Sequence, residues 1–193
     1  MSARMVLLGA PGAGKGTQAA RIAERLSIPA ISTGDIFRSH AARGTELGAQ
    51  AAQYMDRGEY VPDSITNAMV AERLSRPDCR QGFLLDGYPR TQNQVDELDA
   101  VLARDGLSLD AVVEITVDAE AVVARLLKRA GEQDRADDTE PVIRRRLEVY
   151  TESTEPLVAH YSQRGLLVRV DGMGQIDEVT ERLMEALAAR GIA

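Results

Sequence analysis

Short apolar runs and amphipathic stretches alternate along the chain. Residues 5–8, Met-Val-Leu-Leu, contain no polar position and read as a strand buried on both faces. A glycine-rich loop over 9–14 and an amphipathic helix over 15–26 follow. Residues 29–32 form a short second strand. Residues 82–85, 111–117 and 166–170 supply three more strands, the fourth rich in β-branched side chains. Helical periodicity covers 91–104, 119–129 and 176–190. Between 34 and 75 the pattern is helical throughout, with breaks at Gly44, Gly58 and Pro62. That stretch is too long for a simple crossover and marks a helical insertion. Residues 131–139 are polar and interrupt the alternation. A long helix is expected over 140–163, with Pro141 tolerated in its first turn. Strands separated by helices predict an α/β fold: a doubly wound, five-stranded parallel sheet flanked by helices, in one domain over residues 1–193.

Composition narrows the classes. The 193 residues are 44% hydrophobic and 27% charged, which excludes a disordered chain, a collagen and a disulfide scaffold. The net charge of −7 provides no overall basic field, so no nucleic-acid partner is expected. Trp is absent and Phe occurs twice, which leaves no aromatic platform for single strands. The lone Cys79 permits neither an internal disulfide nor a cysteine-rich metal site, and it suits a reducing compartment. No run approaches the ~18 apolar residues of a membrane span, so no membrane partner is expected. The 5–8 stretch is too short for a signal-peptide core, and the cytoplasm is the expected location.

Residues 9–17 read Gly-Ala-Pro-Gly-Ala-Gly-Lys-Gly-Thr, a G-x-x-x-x-G-K loop between the first strand and first helix. The glycines let backbone N–H groups turn inward without steric penalty. Unpaired N–H groups at the helix start then face an anion. Lys15 adds a compact point charge, and Lys occupies only 2 of the 23 basic positions. Gly16 stands where Ser or Thr usually follows the lysine, and Thr17 comes one place later.

A phosphate loop alone does not decide between hydrolysis, switching and transfer. An acceptor that carries its own phosphate needs further cations, and three segments supply them. Ser32-Thr33-Gly34-Asp35-Ile36-Phe37-Arg38 follows the second strand, with a cap residue one turn before Arg38. Gly82-Phe83-Leu84-Leu85-Asp86-Gly87-Tyr88-Pro89-Arg90 is a buried strand ending at the carboxyl edge, where α/β ligands bind. There Asp86 suits water around magnesium, and Arg90 points into the crevice. Tyr88–Pro89 is a candidate cis peptide. The third segment spans Arg125, Lys128, Arg129, Arg135 and Arg144 to Arg146. Most such charges are solvated helix faces, but at least one of the last three can turn inward.

Together these residues resemble adenylate kinase in its short-lid form, over nearly the whole chain from about Met5. The resemblance rests on 9–17, 32–35, 82–90 and the Arg129/Arg135/Arg146 spacing, and the Gly16–Thr17 order is that family's own. It implies reversible transfer of the γ-phosphate of Mg-ATP to AMP, giving two ADP. It places Gly12, Ala13, Gly14, Lys15, Gly16, Thr17, Arg129 and Gly174 at ATP. It places Thr33, Arg38, Glu59, Tyr60, Val61, Gly87, Tyr88, Pro89, Arg90, Gln94, Arg135 and Arg146 at AMP. Catalytic charge then comes from Lys15, Arg38, Arg90, Arg129, Arg135 and Arg146. The AMP-binding insertion falls at 32–61 and the lid at 128–138. Mg2+ arrives with ATP and is held through water near Asp86. No zinc is expected, and a monomer is. Ala130 and Asp134 occupy lid positions where relatives carry glycine.

ATP carries about −4 and AMP about −2 near neutral pH, so the six cations offset repulsion between them. No covalent nucleophile is required. The insertion and lid are expected to close around the nucleotides and exclude water, behaviour for which this family's lid is a familiar example. His40 and His160 lie in no motif and are expected at the surface. A UMP/CMP kinase is the nearest alternative, but that family usually has Ala at the Thr33 position and Asn at the Gln94 position. The Gln94 amide suits an adenine edge. A P-loop ATPase or switch module is the more distant alternative.

Overall fold

The computed structural model describes residues 3–118, 121–122, 125–126 and 139–192. Strand β1 (Ala3–Leu8) lies at the middle of a sheet ordered β2-β3-β1-β4-β5. Its partners are β3 (Gly82–Asp86) on one side and β4 (Ala111–Thr116) on the other. The edges are β2 (Ala30–Ser32) and β5 (Leu167–Asp171). Every pairing is parallel, with Met5 opposite both Leu84 and Ala111. Among the described residues the strands number five.

Period-two alternation sends successive strand residues to opposite faces. Met5, Leu7, Leu84, Val113, Ile115 and Val170 pack with Ala19 and Ile22 of α1 (Lys15–Leu26) and with Leu183 of the last helix. Val6, Leu8, Phe83, Leu85 and Val112 face the other way. They meet Val95 and Leu98 of α5 (Gln92–Arg104), together with Leu157 and Tyr161 further along the chain. Helices therefore cover both faces, as the continuous apolar strands require. Because β1 is central and later strands add on its far side, the carboxyl ends of β1 and β3 border a crevice.

The helical stretch resolves into α2 (Thr33–Ala42), α3 (Glu46–Met55) and α4 (Asp63–Leu74). Gly44 and Gly58 take positive φ at the breaks, and Pro62 precedes α4. Phe37, Ala51 and Val61 form a small core of their own, flanked by Leu47, Met55 and Ile65.

The single helix expected over 140–163 is instead interrupted. The chain forms α6 (Glu140–Val149), a π-helical segment (Tyr150–Thr154) and α7 (Glu155–Gln163). Pro156 explains the break. It has no N–H to give to the preceding turn, and its ring clashes with the carbonyl four residues back. The wider π turn absorbs this, and the Glu155 N–H donates to the Tyr150 carbonyl. Helix α8 (Ile176–Ala188) closes the fold, two residues shorter than its periodicity suggests. The helix expected over 119–129 is described only in part, and the proposed lid at 128–138 lies outside the described residues.

Candidate active site

The loop between β1 and α1 bends through Gly9, Gly12 and Gly14, whose φ angles are +143°, +84° and +91°. At Gly12 a Cβ would also come within 2.9 Å of the Leu126 side chain. Helix α1 begins at Lys15 with no side-chain cap and no acidic residue in its first turn. Its first N–H groups are therefore left to an anion. Lys15 reaches back along the loop, its Nζ donating to the carbonyls of Gly9 (2.7 Å) and Ala10 (3.0 Å). The Asp86 carboxylate, at the end of β3, lies 3.7 Å from where a Gly16 Cβ would stand.

Across the crevice, β2 runs directly into α2. Ser32 caps the helix by accepting the Asp35 N–H. Thr33 is buried, and its hydroxyl donates to the Gly87 carbonyl at 2.9 Å. Arg38 pairs with Asp35 one turn earlier on the same helix. Gly87 has φ +80°, and a Cβ there would sit 2.8 Å from both Thr33 Oγ1 and Arg90 Nη2, so only glycine fits.

The Tyr88–Pro89 peptide is cis. The Tyr88 ring is buried, and its hydroxyl lies 2.9 Å from Asn67 Oδ1 and 3.1 Å from the Gln94 carbonyl oxygen, with one hydrogen shared between the two acceptors. Burial pushes this phenol well above the usual tyrosine range. Tyr88 thus anchors the turn from within the core, while Pro89 and Arg90 line the cleft.

Arg90 is held at several points. Its backbone N–H donates to Gln94 Oε1 (2.8 Å), and its Nε donates to the Gly87 carbonyl (2.7 Å). Its guanidinium lies 4.8 Å from the centre of the Tyr60 ring, within cation–π range. Gln94 is 1% exposed, and its Nε2 donates to Asp63 Oδ1 at 2.7 Å. Asp63 also accepts from the hydroxyl of Thr91, the residue that caps α5. One N–H and one lone pair of the Gln94 amide remain for a ligand.

These groups share one cleft of about 780 Å3. It is lined by Gly12 to Thr17 and Gly174 at one end, and by Thr33, Arg38, Glu59, Tyr60, Val61 and Gln94 at the other. Asp86, Gly87, Pro89, Arg90 and Arg146 border it too. Arg129 and Arg135 lie outside the described residues. His40 and His160 are each half-buried and do not line this cleft.

Several lining residues escape sequence reasoning. Gln18 is buried on α1, its Nε2 donating to the Ile176 carbonyl (3.0 Å) and its Oε1 accepting from Thr180 (2.8 Å). Arg125, seen in the sequence only as part of a charge run, donates to the Gly172 carbonyl at 3.2 Å. Tyr150 and Thr154 come from the π-helical segment, for which Pro156 was the available signal.

The family model for adenylate kinase matches residues 7–166. An adenylate kinase of Kocuria rhizophila is 61% identical over 184 residues, spanning 95% of this chain and 98% of that protein. One from Pseudarthrobacter chlorophenolicus is 58% identical over 186 residues, covering 96% and 97%. One from Thermobifida fusca is 57% identical over 187 residues, covering 97% and 99%. Identity of this order along essentially the full length of each relative, together with a phosphate loop facing a second cationic pocket, leads to one conclusion: the chain belongs to the adenylate kinase family.

Proposed function

We propose that the protein is a nucleoside monophosphate kinase that transfers the γ-phosphoryl group of Mg-ATP to AMP reversibly, giving two ADP. The observation that carries this reading is the single cleft with an anion cradle at one end and Arg38, Arg90 and a buried amide at the other. A hydrolase needs only the first half.

In this reading Gly12 to Thr17, Gly174 and Arg129 hold ATP. Residues 32–61 form the AMP-binding insertion, and residues 128–138 the lid. Thr33, Arg38, Glu59 to Val61, Gly87 to Arg90 (Tyr88 only by anchoring that turn from the core), Gln94, Arg135 and Arg146 serve AMP. An oxygen of the AMP phosphate attacks the γ-phosphorus. The bond from phosphorus to the bridging oxygen breaks, and its electron pair leaves on the β-phosphate of ADP. Lys15 and the arginines stabilise the equatorial oxygens, and their fixed positions lower the barrier through alignment. Arg90 suits this role because its backbone, Nε and ring contacts fix its plane. Its two terminal amino groups, without a hydrogen bond to a described residue, are left for phosphate.

The residues present fit a magnesium ion that travels with the nucleotide. Asp86 offers one half-exposed carboxylate beside the phosphate loop, and among the described residues no three acidic, His or Cys side chains are placed to hold a metal ion together. Mg2+ keeps most of its waters and takes few protein ligands, so Asp86 would hold it through water. When bound, the ion neutralises charge on the β- and γ-phosphates.

Among the described residues no helix is long and apolar enough to cross a membrane. We take the protein to act as a monomer in the cytoplasm. The deciding assay follows ADP formation with ATP or GTP as donor and AMP, CMP or UMP as acceptor. AMP is expected to exceed the pyrimidine acceptors by about tenfold or more in kcat/KM. Equal use of CMP would favour the UMP/CMP kinase reading, and no ADP at all would overturn the proposal.

A further inference from the structure

Thr154 stands where three separate parts of the site meet, and no motif announces it. It is 4% exposed, at the last position of the π-helical segment. Its Oγ1 lies 2.9 Å from the Arg90 carbonyl and 2.7 Å from the Tyr60 hydroxyl. A carbonyl can only accept, so the single Thr154 hydrogen goes to Arg90. The hydrogen between Thr154 and Tyr60 must then be the tyrosine's. The polarity of the chain is fixed: Tyr60 donates to Thr154, which donates to Arg90. The Tyr60 ring in turn carries the Arg90 guanidinium at 4.8 Å, closing a loop of contacts.

Tyr60 belongs to the 32–61 insertion, whereas Arg90 and Thr154 belong to the body of the fold. The neighbouring contact has the same character. A Cβ on Gly58 would lie 2.7 Å from the Val142 carbonyl of α6, so the insertion backbone rests directly on that helix.

We propose that Thr154 is a positioning residue for the acceptor nucleotide, its hydroxyl latching the insertion, through Tyr60, to the turn that bears Arg90. Thr154 acts through Tyr60 and Arg90, the two groups assigned to AMP, and not as a ligand group of its own. It favours the arrangement in which insertion and Arg90 face the same phosphate, and it fixes the Arg90 backbone from the carbonyl side while Gln94 fixes it from the N–H side. This rests on the reading that the insertion binds AMP.

The test compares wild type with Thr154→Val, Thr154→Ser, Tyr60→Phe and the Thr154→Val/Tyr60→Phe double variant. ADP formation is followed while AMP and ATP are varied separately. Tyr60→Phe keeps the ring under Arg90 and is expected to raise KM for AMP about three- to tenfold, one lost hydrogen bond. Thr154→Val is expected to raise it about tenfold or more, since the Arg90 carbonyl also loses its donor. KM for ATP should stay within about twofold, and Thr154→Ser should restore KM for AMP to within about twofold. The double variant should be no worse than Thr154→Val alone, because both changes break one latch.

An unchanged KM for AMP in Thr154→Val and Tyr60→Phe overturns the proposal. So does a parallel rise in both KM values, or a serine variant as impaired as the valine. A wild type that forms no ADP overturns the underlying reading and the latch with it. Normal wild-type turnover with unaltered variants sinks the latch alone.

Discussion

Arg90 shows how much of this site is geometry rather than charge. Its planar fork is oriented by the Gly87 carbonyl and the Tyr60 ring, and a lysine would keep the charge but lose both constraints. Arg90→Lys is therefore expected to lower kcat about tenfold or more, a loss of roughly 1.4 kcal/mol of transition-state stabilisation. A coupled assay that finds less than about a threefold loss would contradict this. Cys79 offers a different residue-scale test. It is 5% exposed, and burial pushes its thiol up more than the adjacent Arg73 guanidinium pulls it down. A raised thiol pKa means less thiolate at a given pH, and the thiolate is the reactive form. Native protein should thus react with an aromatic disulfide reagent at pH 8 about 100-fold more slowly than unfolded protein, and its rate should keep rising beyond the usual thiol value of about 8.5. Equal native and unfolded rates would refute the burial.

At the scale of elements, the insertion depends on close approach of α2 and α3. A Cβ on Gly48 would meet the backbone of His40 and Ala41 at 2.3–2.4 Å, where nothing flexible can yield. Gly48→Ala is expected to cost about 2–3 kcal/mol by overpacking. If the whole chain melts together, Tm falls by about 5–10 °C. Calorimetry showing an unchanged Tm, with an unchanged KM for AMP, would count against this packing. The break after α6 has the opposite origin. Pro156 forbids a continuous helix, and the π turn that results puts Tyr150 and Thr154 in the cleft. Periodicity missed it because apolar residues keep helical spacing in the sequence across the break, although Ile143 packs in one cluster and Leu157 and Tyr161 in another.

At the scale of the molecule, the sheet is a platform that brings distant chain segments to one edge. Thr33 and Gly87 are 54 residues apart, Tyr60 and Thr154 are 94 apart, and both pairs touch. Under the proposed function, cradle and acceptor pocket share one cleft, so bound AMP would supply the attacking oxygen in place of water. ATP consumption without AMP is accordingly expected to be about 100-fold or more below the rate with AMP. Phosphate release assayed against ADP formation checks this, and comparable rates would favour an ATPase.

The amino-acid sequence by itself determined the strand order of appearance, the phosphate loop, the helical insertion and the Gly87 turn. Each of these is encoded locally: by apolar runs, by glycines at positive φ, or by a proline that fixes its neighbour. Only the tertiary structure decided that Tyr88 serves the core while Arg90 serves the cleft, that Gln94 is braced by Asp63, and that Thr154 joins the insertion to Arg90. Those outcomes depend on which partners meet across long sequence separations. Such meetings are set by the packing of helices on the two sheet faces, and no local pattern records them.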